Sequence, residues 1–485
     1  MRGLHRRYVI AFAAAIVLSH VAISNLPGDD PPGDKWFVDR LVTVSPMDAP
    51  IPAFRYRLYP LEWERKDGNA VPIFLRLVHE QSDAARKYWM EAPLPWNAVP
   101  IDKIPMTEAR EFLARMAYAY GQLDLGARRK TADWSFTFDQ GSVVGLAIPD
   151  VQSMRGYVPM LVLRARVLAA EGDFAAAVRA LETGFAFSRQ VAAAPILISG
   201  LVAISAAGQF ADATLDVVER PGAPNLYWAL TALPRPFIDL RTAWDYEQRF
   251  FEMEFPDLLD LNRTRSPAEW NDMLKRLRVK MKELAATMAD DANRPAAPIA
   301  GTGPDDPAAN SPDLARAKEY LAKRTGWSAS RIGAMPPAQV LMLYLDGMLH
   351  DLRDQRFTAV YLPPAQAREQ LRRTMASASS APDTEAVRIV RIWMPAIDKV
   401  ITAQSRLERK IAALRVIEAL RIYAARHGQL PDSLSQIQEV PVPIDPGSGE
   451  AFEYRKTGAT ATLTSRVPGE PVEKSGLRYT IVLRN

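Results

Sequence analysis

Residues 160–181 predict the fold class of this chain of 485 residues, and they read MLVLRARVLAAEGDFAAAVRAL. Apolar residues recur every three to four positions on both sides of Gly172 and Asp173, which is the spacing of an amphipathic helix. Gly and Asp are typical turn residues, and small residues such as Ala165 and Ala177 allow two helices to approach closely. The run therefore predicts two antiparallel helices joined by a tight turn.

The predicted hairpin resembles one tetratricopeptide-type unit over residues 160–187. No second copy occurs at the period of roughly 34 residues that such arrays need. Helical periodicity extends through most of residues 70–290 and returns in 313–427. We therefore expect a mainly α fold, an irregular helical-hairpin bundle or superhelix.

The N-terminal segment predicts the topology. Arg2, Arg6 and Arg7 precede an uncharged apolar run from Tyr8 to Leu26. A basic stub before such a run is typical of an exported protein, because the cationic end stays on the cytoplasmic side. The segment is either a signal peptide or an uncleaved membrane anchor, and its length favours the anchor. Either one, within residues 1–26, places the bulk of the chain on the extracytoplasmic side.

Three other segments predict how the chain is organised. Residues 27–69 are rich in proline, which predicts an extended tether. Residues 191–208 carry no charge and fit either a core helix or a second membrane span. Their small and hydroxyl residues favour the core helix. Residues 291–312, rich in Pro, Ala, Gly and Asp, predict a linker.

The C-terminal part changes from helical to strand-like patterns. A long helix is predicted from about Glu385 to His427, with a kink at Pro395 and an end at Gly428. Short alternating runs follow within residues 428–485. They predict a small β appendage that packs on the long helix, since so few strands are unstable alone.

Two C-terminal stretches carry a resemblance to known proteins. YAARHGQLPDSL, residues 423–434, and PIDPGSGEAFEY, residues 443–454, look similar to a module of uncharacterised, membrane-anchored helical proteins of bacteria. Type II secretion pseudopilins share a looser version. The resemblance implies a cell-envelope location and no particular activity.

The composition excludes several kinds of chemistry. The chain has no cysteine, which excludes disulfides, thiolate metal sites and a cysteine nucleophile. P-loop, G-x-G-x-x-G and G-x-S-x-G motifs do not occur, so we expect no cofactor. The net charge of +4 comes largely from the three leader arginines. We therefore expect no nucleic-acid partner.

The best candidate for a catalytic site is an acidic and aromatic segment around Glu247 and Glu254. Both glutamates lie near one helical face, and paired carboxylates beside aromatic rings are typical of glycan chemistry. The preferred interpretation is an amphipathic helix with Glu/Arg pairs, since such faces are common.

Three residues are candidates for binding a metal. His350 and Asp354 stand four positions apart, which places them on one helical face. Asp445 lies in a turn, where it would need several further oxygens to hold calcium. A solvated helix face and a structural turn are the preferred interpretations, so we expect no metal.

The sequence thus predicts an exported scaffold or interaction protein of the bacterial cell envelope, anchored through residues 8–26 and without evident catalysis. Its partner would be an envelope protein or a glycan. An envelope hydrolase that acts on glycan or peptide through carboxylates is the alternative. A component of a secretion system or pseudopilus is a second alternative.

Overall fold

The computed structural model describes residues 37–134, 151, 153–291, 307–380, 384, 387 and 395–484. The predicted anchor at residues 8–26 and most of the predicted linker at 291–312 lie outside these residues. Within them the chain is mainly helical and has a small sheet built largely from C-terminal strands. The mainly α fold with a small C-terminal sheet is therefore confirmed.

Helices make up most of the described residues. In chain order they are α1 (Val71–His79), α2 (Asp83–Glu91), α3 (Leu94–Asn97), α4 (Met106–Arg115), α5 (Ala117–Ala127), α6 (Val158–Ala170), α7 (Phe174–Ala192), α8 (Leu197–Val218), α9 (Tyr227–Thr231), α10 (Arg241–Glu254), α11 (Pro267–Asp291), α12 (Leu314–Thr325), α13 (Ala329–Gly333), α14 (Pro337–Phe357), α15 (Pro364–Ser380), α16 (Pro395–His427) and α17 (Val472–Ser475). Short 3-10 helices lie at Glu62–Glu64, Ile101–Lys103, Arg155–Tyr157, Pro256–Asp260, Ala308–Asn310, Thr358–Tyr361 and Leu434–Gln436.

The strands of the described residues form two sheets. In chain order they are β1 (Val38–Val44), β2 (Lys66–Asn69), β3 (Arg129–Thr131), β4 (Glu453–Thr457), β5 (Thr460–Ser465) and β6 (Leu477–Leu483). β2 and β3 pair with each other, and the other strands form one sheet in the order β1-β6-β5-β4. The pairs β4–β5 and β5–β6 are antiparallel, whereas β1 runs parallel to β6. The three short C-terminal strands were predicted.

The helix-turn-helix predicted at residues 160–187 is present as α6 and α7. Gly172 adopts a positive φ of 81° in the turn, a conformation that glycine reaches without steric cost. The side chain of Asp173 accepts a hydrogen bond of 3.0 Å from the backbone N–H of Ala176 and so caps α7. Both turn residues therefore have the roles that the sequence predicted.

Helix α8 occupies the centre of the molecule, where it packs against α6, α7 and α16. Of the helices that the structure describes, it is the one long and apolar enough to cross a membrane by length and composition. Its Asp212 and Asp216 form ion pairs with Lys410 and Arg166, and 67% of its most apolar window is buried inside the protein. The burial of its apolar residues inside the protein is what a core helix shows.

The expectation of an extended tether over residues 27–69 is wrong for β1. This strand pairs along its whole length with β6, and Val42 and Val44 are fully buried beneath the sheet. Prolines flank the strand at Pro32 and Pro46, but none interrupts it, so its backbone remains free to pair. Its partner is more than 400 residues away in the chain, and a local pattern cannot reveal such pairing.

Helix α16 links the helical body to the sheet. It is described from Pro395 to His427, and the chain leaves it at Gly428, as predicted. The predicted kink at Pro395 depends on residues 388–394, which lie outside the described residues. Contacts of α16 with α8 on one side and β5 on another place it between the two parts of the fold.

Candidate functional site

Glu247 lies on α10 and faces the first turn of the central helix α8. Its Oε1 accepts a hydrogen bond of 3.3 Å from the backbone N–H of Leu197, the first residue of α8. The first N–H groups of a helix lack partners within the helix, and the helix dipole favours a carboxylate there. Glu247 therefore caps α8 and joins α10 to the core.

Burial raises the pKa of Glu247 from its ordinary value of 4.5 to about 7, against a smaller lowering by the N–H of Leu197. A carboxyl with such a pKa meets one requirement for a general acid. The second candidate, Glu254, is the last residue of α10, and its side chain lies outside the described part of the structure. Of the predicted pair of carboxylates, the structure therefore describes that of Glu247.

We expect Glu247→Gln to stabilise the protein at alkaline pH. The folded-state pKa of Glu247 is raised, so the stability that its neutral carboxyl contributes is complete below pH 4.5 and is lost as pH rises toward 7. Glutamine stays neutral and can still accept the N–H of Leu197. The free energy of unfolding of the variant should exceed that of wild type by about 1–2 kcal/mol at pH 8, allowing for partial exposure of the side chain.

Denaturant unfolding at pH 4 and pH 8 measures this effect. The gain should shrink toward zero at pH 4, where the wild-type carboxyl is neutral in both states. Glu111→Gln is the matched control, because the Glu111 side chain is 64% exposed. A gain of equal size at both pH values would show that Glu247 does not titrate as described.

His350 lies on α14 and connects this helix to α10. Its Nδ1 is 2.8 Å from the backbone oxygen and 3.3 Å from the Oδ1 of Asp346, and its Nε2 is 3.5 Å from the Oε1 of Glu252. The hydrogen bond with Asp346 is the largest factor that raises the pKa of His350 to about 9, against desolvation. His350 is therefore a cation at neutral pH, whereas a metal ligand must be neutral.

The predicted pairing of His350 with Asp354 does not form. The carboxylate of Asp354 accepts a hydrogen bond of 2.9 Å from Arg353 instead, and it is largely exposed. His350 instead contacts Asp346, one helical turn before it. Among the described residues, no group of three or more His, Asp or Glu side chains could hold a metal ion.

Asp445 is buried in the turn before β4. Its Oδ2 accepts a hydrogen bond of 2.6 Å from the Ser465 hydroxyl, and its Oδ1 accepts one of 2.8 Å from the N–H of Gly447. The Nε of Arg409 lies 3.7 Å from Oδ1, and Arg368 acts on the same carboxylate from further away. Calcium requires several oxygen ligands, whereas these contacts are a cation and hydrogen-bond donors. Asp445 therefore fixes the turn onto the sheet.

Arg409 is the fully buried partner of this turn, and the sequence did not single it out. It projects from α16 and donates hydrogen bonds to the backbone oxygens of Ser465 at 2.9 Å and Ser475 at 2.8 Å. Burial lowers the pKa of Arg409 to about 10, although Asp445 opposes this shift. Gly447 packs so closely that a Cβ there would lie 2.6 Å from the Cδ of Arg409.

A second buried ion pair lies about three turns further along α16. Arg421 donates to Glu418 at 2.9 Å, to the backbone oxygen of Ser45 at 3.0 Å and to that of Ala223 at 2.7 Å. Glu418 accepts the N–H of Leu226 at 2.9 Å, just before α9. Burial raises the pKa of Glu418, although Arg421 opposes it. This pair ties the N-terminal segment and the start of α9 to α16.

Acidic residues at the end of α8 hold the N-terminal strand. Asp216 pairs with Arg40 of β1 at 2.6 Å and with Arg166 of α6 at 2.8 Å. Glu219 also pairs with Arg40 and accepts the backbone N–H of Thr43 at 3.0 Å. The end of α8 therefore holds β1 through its charges.

No family model, curated protein or solved structure matches the chain.

Glu247, His350 and Asp445 each join two parts of the fold, and the pairs of Arg409 and Arg421 do the same. The sequence signal for the pair of Glu418 and Arg421 is the run IAALRVIEALRIYAA, residues 411–425, which is mostly apolar around the helix. A helix of this composition is buried, so charges inside it need buried partners.

Proposed function

We propose that this chain is a membrane-anchored, non-enzymatic scaffold or interaction protein on the extracytoplasmic side of the bacterial envelope. The observation that supports this proposal most is that three ionisable candidate residues form contacts between elements of the fold. Glu247 caps α8, His350 bridges α14 and α10, and Asp445 holds the turn before β4. These contacts join separate elements of the fold, and a fixed arrangement of elements is what a scaffold needs.

The position of the N-terminal strand supports anchorage. β1 is held by its pairing with β6 and by the ion pair of Arg40 with Asp216. The chain that precedes β1 therefore starts from a fixed point on the folded body. Leu26, where the apolar run ends, is about a dozen residues before β1, which is at most roughly 40 Å of extended chain. An anchor at residues 8–26 would therefore hold the body close to the bilayer.

Crosslinking followed by co-purification from membranes tests this function. The full-length chain should recover the same envelope partner in repeated experiments, and a chain without residues 1–26 should recover far less of it. Failure to recover any partner with the full-length chain would contradict a scaffold function.

One observation favours an envelope hydrolase as the second candidate. The pKa of Glu247 is raised by burial to about 7, which would let it donate a proton to a leaving group at neutral pH. A hydrolase of this kind needs a second carboxylate within about 5–10 Å. Hydrolysis of cell-wall fragments that disappears in Glu247→Gln would favour this candidate over the scaffold.

A further inference from the structure

An exposed turn at residues 51–57 lies against α9 and carries apolar side chains at its tip. Ile51 is 91% exposed and Phe54 is 47% exposed. The ring of Phe54 stands edge-on to that of Trp228 on α9, with 6.3 Å between the centroids. Trp228 is itself partly exposed, so the two rings form a continuous aromatic surface.

Arg57 lies against one of these rings, and three further arginines lie nearby. The guanidinium of Arg57 lies 4.9 Å from the centroid of Phe54, and that of Arg55 lies 5.6 Å from Tyr56. Arg415 donates to the hydroxyl of Thr231 at 3.0 Å, and Arg235 donates to the backbone oxygen of the same residue at 3.2 Å. Cations and rings therefore lie together along one stretch of surface.

These four arginines form no ion pair with a carboxylate among the described residues. Arg235 interacts electrostatically with Glu408 at a distance longer than that of an ion pair. The Oε1 of Glu408 accepts a hydrogen bond of 2.7 Å from the backbone N–H of Phe237. Burial and the nearby Arg235 lower the pKa of Arg415. Within the described residues, four arginines thus lie at this surface without a carboxylate at ion-pair distance.

We propose that this basic aromatic surface, formed by Ile51, Phe54, Arg55, Arg57, Trp228 and Arg235, docks on a lipid bilayer that contains anionic phospholipids. Aromatic rings favour the interface between headgroups and acyl chains, and arginines bind the phosphates while their stems stay among apolar groups. Each cation near an anionic leaflet adds attraction. The proposal rests on the proposed membrane anchorage and describes how the anchored body lies on the bilayer.

The shape of the surface favours lipid over a protein partner. Ile51 projects from a turn rather than lining a groove, so a protein would need a cleft for it and acids placed opposite the arginines. A fluid bilayer needs neither feature, because lipids rearrange around an inserted side chain and its neighbouring cations.

The absence of cysteine allows a direct test on the full-length chain. A single Ile51→Cys substitution carries an environment-sensitive fluorophore, and the labelled chain is reconstituted into phosphatidylcholine vesicles with or without phosphatidylglycerol. Leu259→Cys and Ile444→Cys are matched controls, since both side chains are exposed, at 62% and 59%. We expect a blue shift and quenching by brominated lipid at position 51, stronger with phosphatidylglycerol, and neither at the control positions.

Charge reversal tests the role of the arginines. Arg55→Glu with Arg235→Glu should reduce the lipid quenching at position 51 to about half or less. Arg115→Glu with Arg263→Glu is the matched control, because those arginines are exposed elsewhere, at 67% and 78%. Unchanged circular dichroism and melting temperature would confirm that both variants fold.

The outcomes separate this inference from the anchorage. If the chain floats with the vesicles while position 51 stays as accessible to water as position 259, lipid docking is wrong and anchorage stands. If the chain does not float at all, both are wrong. Protection of position 51 in cell membranes but not on protein-free vesicles would overturn the lipid assignment in favour of a protein partner.

Discussion

Replacing Arg421 with methionine is expected to lower the free energy of unfolding by about 3–5 kcal/mol. The substitution leaves Glu418 buried without its cation, and desolvation already raises the pKa of that carboxyl. It also removes the donors to the backbone oxygens of Ser45 and Ala223. An uncompensated buried charge and unsatisfied carbonyls account for the large expected effect.

Denaturant unfolding of wild type and variant at neutral pH measures the loss. Arg426→Met is the matched control on the same helix, because Arg426 is 54% exposed and pairs only at the surface with Asp48. The control should cost less than about 1 kcal/mol. Similar losses in both variants would contradict a specific role of the buried pair.

The second large effect is expected from Arg409→Met. This change removes the hydrogen bonds to Ser465 and Ser475 and takes away the cation that lies 3.7 Å from Asp445, leaving the more distant Arg368. We expect a loss of about 3 kcal/mol in the free energy of unfolding, since breaking a buried pair at one partner is strongly destabilising. Since these contacts hold the sheet to α16, hydrogen exchange in β5 and β6 should accelerate more than in α6 and α7.

Two comparisons make the result for Arg409 interpretable. Arg455→Met changes an exposed arginine of β4 and should leave both stability and exchange close to wild type. Asp445→Asn in the Arg409→Met background should recover part of the loss, because it removes the unpaired charge. Equal acceleration of exchange throughout the molecule would show that Arg409 does not hold the sheet specifically.

Local patterns predicted the mainly helical fold and some of its turns. The turn at Gly172 and Asp173, the end of α16 at Gly428 and the strands after it follow from periodicity and turn chemistry. β1 could not be predicted because its partner, β6, lies at the other end of the chain. The prolines on either side of β1 suggested a tether and concealed a strand that contains none.

The candidate site was predicted less well than the fold. Spacing placed His350 and Asp354 on one face of a helix, but it could not show that His350 turns toward Asp346 and Glu252. Composition identified an acidic segment around Glu247, but not that this carboxylate caps the central helix. The partners of buried charges come from distant segments, and only the arrangement of helices determines which ones meet.

We propose that the buried ionisable groups of this chain join separate parts of its fold and do not catalyse a reaction. The most direct test compares the full-length wild type with Glu247→Gln for release of soluble products from cell-wall glycan and peptide fragments at neutral pH. We predict no release above the background without protein, and no difference between the two chains. Hydrolysis by the wild type that is abolished in a folded Glu247→Gln variant would contradict this claim.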